Sequence, residues 1–253
     1  MGTCYNICLK LNVDVVILHF LGRLRKCSQK MKRREMLTGF GSGTLGLGIG
    51  TLLGCAPAGG EVRATNASAS DPNLWKYATI DPQKAADLSY EVYPSGGCMY
   101  ASVRALLETI ADSLQSVDPV AASVVMNFPF HMMGYGRGGI GGTGSACGAF
   151  NGCAAVIGAF VKDIARQNAI IQELYAFCTQ EKLPKYRPQD DRFPMMKTSV
   201  AESVLCHPSV DSWRAVAGMD IAFASPERGE RCRRLTSDIV IKTAELLNRY
   251  HAE

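Results

Sequence analysis

Ten cysteines are spread through the 253 residues, and they are the side chains here with the most chemistry to offer. A thiolate is both a soft metal ligand and a nucleophile, so position decides between metal binding, disulfide chemistry and packing. Cys98, Cys147 and Cys206 each stand where a helical pattern begins, and Cys232 lies within two turns of the start of the last one. The partial positive charge of a helix N-terminus favours the thiolate form. Four thiols from four segments, one of them following a glycine-rich loop, can close around an iron–sulfur cluster. Two other readings stand beside that one. The four could be a switchable thiol–disulfide or metal-handling set without a permanent cluster. They could also form two structural disulfides in an exported protein.

The remaining chemistry-bearing residues read more plainly. Cys153, on an alanine-rich helix, and Cys178, beside Phe177, read as packing. His131 lies among Phe128, Phe130, Met132 and Met133 and reads as a core histidine; Trp213 reads as core too. His207 precedes Pro208 and reads as a turn residue, with a supporting or alternative ligand role open to it. No histidine has a Ser or Asp motif around it, which argues against a hydrolase and leaves oxidoreductase activity open.

Helices must position these thiols. After Pro94-Ser95-Gly96-Gly97, the apolar residues Met99, Val103, Leu106, Leu107, Ile110 and Leu114 follow a 3/4 spacing. That spacing predicts a helix with Cys98 in its first turn, behind a polar lead-in. The stretch from Pro119 to Met133 leaves helix, strand and extended chain open. "GYGRGGIGGTGSACG", residues 134–148, holds eight glycines in fifteen positions and must be a loop whose backbone approaches something closely. It lacks the strand–helix context and the lysine of a phosphate loop, which argues against nucleotide binding. A long helical pattern runs from Cys147 to Gln180, with a break expected near 165–168. Residues 181–194 are a polar connection, and 199–218 suggest two short helices hinged at Cys206-His207-Pro208. Ser225-Pro226-Glu227 opens the last helix, which buries Leu235, Ile239, Val240, Leu246 and Leu247. The expected fold is mostly α: a compact helical domain with a Gly-rich loop before the helix that starts at Cys147.

Charge separates the front of the chain from its body. Residues 1–54 carry eight basic and two acidic side chains, which leaves 19 basic and 21 acidic in the rest. The body therefore has no basic excess with which to bind nucleic acid. The front reads as a targeting segment. Arg33-Arg34, Met36-Leu37 and a weakly apolar, Gly-rich run resemble a twin-arginine export signal over 31–54, too short and polar to span a membrane. Leu52-Leu53-Gly54-Cys55 resembles a lipobox with Cys55 as the lipidated residue. Residues 1–30 are expected to be an over-extended start, 55–73 a flexible tether, and 74–253 the helical redox domain. These readings imply the twin-arginine translocase as a partner during export, and a periplasmic or cell-envelope protein held to the membrane by its lipid.

Cys147-Gly148-Ala149-Phe150-Asn151-Gly152 matches the CGAxxG motif of the C_GCAxxG_C_C family, bacterial redox-active proteins defined by four cysteines. By order and context the four are Cys98, Cys147, Cys206 and Cys232, and the resemblance runs from about Tyr90 to Asn248. Within the group, "SGGCMYASV", the glycine loop, "LCHPSVDSW" and "ERCRRLTSD" are similar to the split-Soret cytochromes c. The resemblance implies electron transfer to a redox partner, an iron–sulfur cofactor ([2Fe–2S] favoured) on the four cysteines, and a homodimer. The chain has no C-x-x-C-H site, so covalent haem is not carried over.

Overall fold

Residues 75–253 are described by the structure, a computed structural model. The expected start, export signal and tether, with Arg33, Arg34 and Cys55, lie outside the described residues.

Helix α1, Pro82–Leu114, is longer than the sequence reading. Its first half, taken as a polar lead-in, is helical because Asp81 caps it and Pro82 occupies the first position. The Asp81 carboxylate accepts from the amides of Gln83 and Lys84. Ala85, Ala86, Ser89 and Val92 give that half a buried face. The helix bends between Pro94, which has no amide to donate, and Gly97, whose φ of 82° leaves the helical region. Cys98 therefore opens a new segment, as its preceding glycines implied.

Helix α2, Pro119–Met126, is capped by Asp118 and followed by a 3-10 turn over Phe130–Gly136. Only Met133 and Gly136 of that turn are buried. His131 is exposed, which corrects its reading as core: the turn points Met133 inward and His131 outward. After the glycine loop come α3, Gly148–Phe160, and α4, Ile164–Gln180. The break falls before the expected 165–168, because Asp163 caps the amide of Arg166. The polar connection holds a two-residue strand β1, Lys182–Leu183, antiparallel to β2, Ser199–Val200.

Helix α5, Cys206–Ala217, is one helix rather than two hinged at Pro208. Pro208 sits in the first turn, where a missing amide costs nothing, and Leu205, just before Cys206, is extended. Helix α6, Pro226–Ala252, starts at the Ser225 cap as expected. The fold is mostly α-helical. Its core is made by α1, α3, α4 and α6, where Leu106, Ile110, Ile157, Phe160, Leu174, Ile239 and Leu247 are buried together. Cys153 and Cys178 belong to this core, and Trp213 is buried with its indole N–H donating to the Lys197 carbonyl at 3.0 Å. Among the described residues, no helix is long and apolar enough to cross a membrane.

Helices α1 and α3 cross with almost no space between them. A Cβ at Gly152 would lie 2.5 Å from Ser102 Oγ and 3.0 Å from Val103 Cγ2. Gly152→Val is expected to cost about 1–3 kcal/mol of stability. A urea titration checks this, and an unchanged midpoint would show that the crossing can relax.

Candidate metal centre

The four cysteines reach one place by different devices. Cys147 caps the N-terminus of α3 and Cys206 is the first residue of α5. A short antiparallel bridge between Ala146 and Leu205 brings the two side by side. The Cys147 amide donates to Val204 O at 2.8 Å, the Cys206 amide to Ser145 O at 2.6 Å, and the His207 amide to Gly144 O at 3.1 Å. Cys98 enters at the bend of α1, with its thiol 3.8 Å from the Gly136 carbonyl. Cys232 comes from the second turn of α6.

Glycines make the approach possible. A Cβ at Gly148 would lie 2.6 Å from Cys98 Sγ, and one at Gly139 would lie 2.7 Å from Cys206 Cβ. Gly138, Gly139, Gly141, Gly142 and Gly144 all have positive φ, and so does Ile140 between them at 56°. The loop is therefore a left-handed coil that glycine adopts at little cost and that strains a β-branched residue.

Cys98, Cys147, Cys206 and Cys232 line one cavity of about 700 Å³. None of the six described cysteines is disulfide-bonded. Among the described residues, no three His, Cys, Asp or Glu side chains converge on a point as the ligands of one metal ion would. The four cysteines share the wall of that cavity. His207 stands outside the cavity lining; its exposed ring packs on Gly144 and edge-on to Phe223, at 4.7 Å.

Burial, reinforced by the neighbouring thiols, pushes Cys98 up to about 12 and Cys206 up to about 11 from an ordinary value of 9.0. Burial raises Cys147 as well, against the amides of Phe150 and Ala149 at the start of α3, which pull it down. The Gly138 amide acts on Cys98 in the same downward sense. The helix N-terminus does favour thiolate at Cys147, as the sequence suggested, but loss of water outweighs it.

The wall also carries charge that the reading of the cysteines missed. Arg137, Arg228 and Arg231 line the cavity, and among the described residues no Asp or Glu does. Arg231 is 2% exposed, donates to Ser209 O and Oγ, and approaches Cys232 Sγ at 3.8 Å. Its Nε and that of Arg228 are buried without a hydrogen-bond partner, and among the described residues neither arginine pairs with a carboxylate. Arg234, one turn further along α6, is fully buried but paired with both Glu230 and Asp191. Burying a guanidinium without a counter-ion is costly, and an anion in the cavity would offset that cost. Tyr93 completes the wall, its phenol pushed well up by burial and then by Cys232 and Cys98. The spacing of "ERCRR" was the available signal: arginines at both sides of a candidate ligand on one helix.

A helical domain that gathers four thiols around one basic cavity has the architecture of a thiol-based redox or metal-binding protein. The family model described as "Putative redox-active protein (C_GCAxxG_C_C)" matches residues 100–246, more than half of the chain, and the chain belongs to that family. The matched region contains Cys147, Cys206 and Cys232 and begins just after Cys98. Split-Soret cytochrome c of Desulfovibrio desulfuricans is 29% identical over 234 residues, covering 85% of this chain and 77% of that protein. Its solved structure, described as containing a novel iron centre, superposes with a TM-score of 0.61 at 30% identity, over 70% of this chain and 72% of that one. The role of the chain is therefore a redox one.

The raised thiols set a pH dependence in the metal-free protein. Unfolded thiols ionise near 9, while folded Cys206 and Cys98 hold their protons to about 11 and about 12. The unfolded chain releases protons first, so stability falls as pH rises through that window. Urea midpoints measured on either side of pH 9 should drop on the alkaline side, and less so in Cys98→Ser/Cys206→Ser. An equal drop in that variant would assign the effect to other groups.

Proposed function

We propose that the domain is an iron–sulfur electron carrier whose cluster is held by Cys98, Cys147, Cys206 and Cys232. The observation that carries this reading is four thiols and a buried arginine without a carboxylate partner in the wall of one cavity, with no Asp or Glu in that wall among the described residues. Four soft ligands suit iron, and four thiolates need the positive charge that Arg231 and its neighbours supply. We favour [2Fe–2S] on the resemblance to the family. The iron centre of split-Soret cytochrome c supports iron as the metal.

The bound cluster would supply one-electron transfer. The chain's own residues would do the rest. Cys147 and Cys206 are held in register by the bridge at Ala146 and Leu205. The amides of Gly138, Ala149 and Phe150 would act on sulfur and help to offset the charge of the bound thiolates. Thiols pushed up by burial are poor nucleophiles at neutral pH, which disfavours the thiol-switch reading.

Export by the twin-arginine route, lipidation at Cys55, a cell-envelope location, a homodimer and an unidentified redox partner belong to the same proposal. Their support is Arg33-Arg34, the run to Gly54 and the family resemblance.

The full chain purified anaerobically should absorb at 400–600 nm. It should contain iron and acid-labile sulfide in equal amounts, and Cys147→Ser should lose both. A colourless, iron-free and folded protein would end the cluster reading. Arg33→Lys/Arg34→Lys should leave unprocessed precursor in the cytoplasm; normal processing would remove the export reading.

A further inference from the structure

The proposed cluster leaves a remainder in this cavity, in volume and in charge. An iron–sulfur core of four to eight atoms, each about the ~30 Å³ of a water molecule, fills roughly 120–240 Å³. The cavity holds about 700 Å³, so more than half of it lies beyond the cluster. Besides the thiols, Arg137, Gly141, Gly142, Phe223, Ser225 and Arg228 line the same cavity.

Charge leaves a remainder of the matching sign. A [2Fe–2S] core on four thiolates is a dianion when oxidised and a trianion when reduced. Among the described residues the wall carries three guanidiniums and no carboxylate. The site is therefore net positive with the oxidised cluster and balanced with the reduced one. Arg231 is committed to Ser209 and lies beside Cys232. Arg228 is uncommitted: its guanidinium lies 5.5 Å from the centre of the Phe223 ring and its Nε is buried without a partner. Arg214 shares that ring, at 5.3 Å, but is spent on the carbonyls of Ile221 and Met219 and on Asp211. Arg137 crosses the bend of α1, its side chain packed over Gly97, and lines the same cavity.

We infer that the part of the cavity beyond the cluster binds a small oxyanion or carboxylate through Arg137 and Arg228, and that this binding is coupled to the oxidation state of the neighbouring cluster. The inference rests on the iron–sulfur reading for its coupling and on the arginines alone for its binding. Guanidinium forks favour ligands with two oxygen acceptors, which selects oxyanions and carboxylates over halides. An electron added to the cluster repels a neighbouring anion, so the anion prefers the oxidised state. Reciprocity then requires that the anion lower the reduction potential. No bond or proton is exchanged between anion and cluster.

The test is a dye-mediated titration of the loaded full chain with dithionite, with inorganic phosphate as the probe and chloride at matched ionic strength as the control. Phosphate is expected to lower the midpoint, by 59 mV for each tenfold preference for the oxidised state in this one-electron couple. Arg228→Gln and Arg137→Gln should each weaken phosphate binding at least tenfold, while Arg228→Lys retains part of it; melting temperatures confirm that each variant is folded. Calorimetry on metal-free Cys147→Ser separates this inference from the cluster reading, because the arginines remain there and phosphate should still bind. Iron-free wild-type protein that binds phosphate through Arg228 would end the cluster reading and keep the anion site. A loaded protein whose potential ignores phosphate and whose binding is unaffected by Arg228→Gln would overturn the inference.

Discussion

Three backbone hydrogen bonds hold residues 144–147 against 204–207, and they set the register of everything around the cavity. Cys147 and Cys206 are far apart in sequence, yet this ladder makes them neighbours and starts a helix from each strand end. It forms only if the glycine loop can lie flat on what surrounds it. A side chain at Gly139 would strike Cys206, one at Gly144 would strike the His207 ring, and one at Gly148 would strike the Cys98 thiol. Backbone permissiveness here is a packing requirement, with positive φ a second and independent one.

The electrostatics of α6 follow from the same geometry. Arg231 and Arg234 lie on one helix and are both buried, but they solve the cost of burial differently. Arg234 has two carboxylates at hand, Glu230 and Asp191, and forms a closed ionic cluster that ties α6 to the polar connection. Arg231 has a hydroxyl, a carbonyl and a thiol. A protein able to pair one buried guanidinium so fully leaves the next one facing sulfur, and that contrast makes the thiols its natural counter-charge. The same burial drives the thiols toward their neutral form when nothing is bound. Both groups are costly when the cavity holds no anion, and an anionic metal–thiolate group relieves both at once.

Much of the helical framework was readable from local pattern. The faces of α1 after Cys98, of α3 and of α6 carry a clear 3/4 repeat, and the Ser225-Pro226 start is plain. The misreadings have specific causes. The first half of α1 buries small residues, Ala85, Ala86 and Ser89, which give little hydrophobic signal, while Asp81-Pro82 was a legible start that composition masked. Pro208 reads as a hinge because no capping side chain marks the start of its helix. His131 sits in an apolar stretch whose 3-10 turn has no repeat from which to read inside and outside.

The sequence by itself determined the chemical set, four cysteines each near a helix start with a loop of glycines between the first two, and hence the redox family. Local rules suffice for that, since caps, apolar spacing and φ preferences act over a few residues. Only the tertiary structure decided that the four thiols share one cavity. It alone also decided that three arginines, with no carboxylate among the described residues, complete the wall, and that burial overrides the helix N-terminus in holding the thiols protonated. Those outcomes depend on desolvation and on distances between groups remote in the chain. Both are set when helices pack, and neither has a local signature.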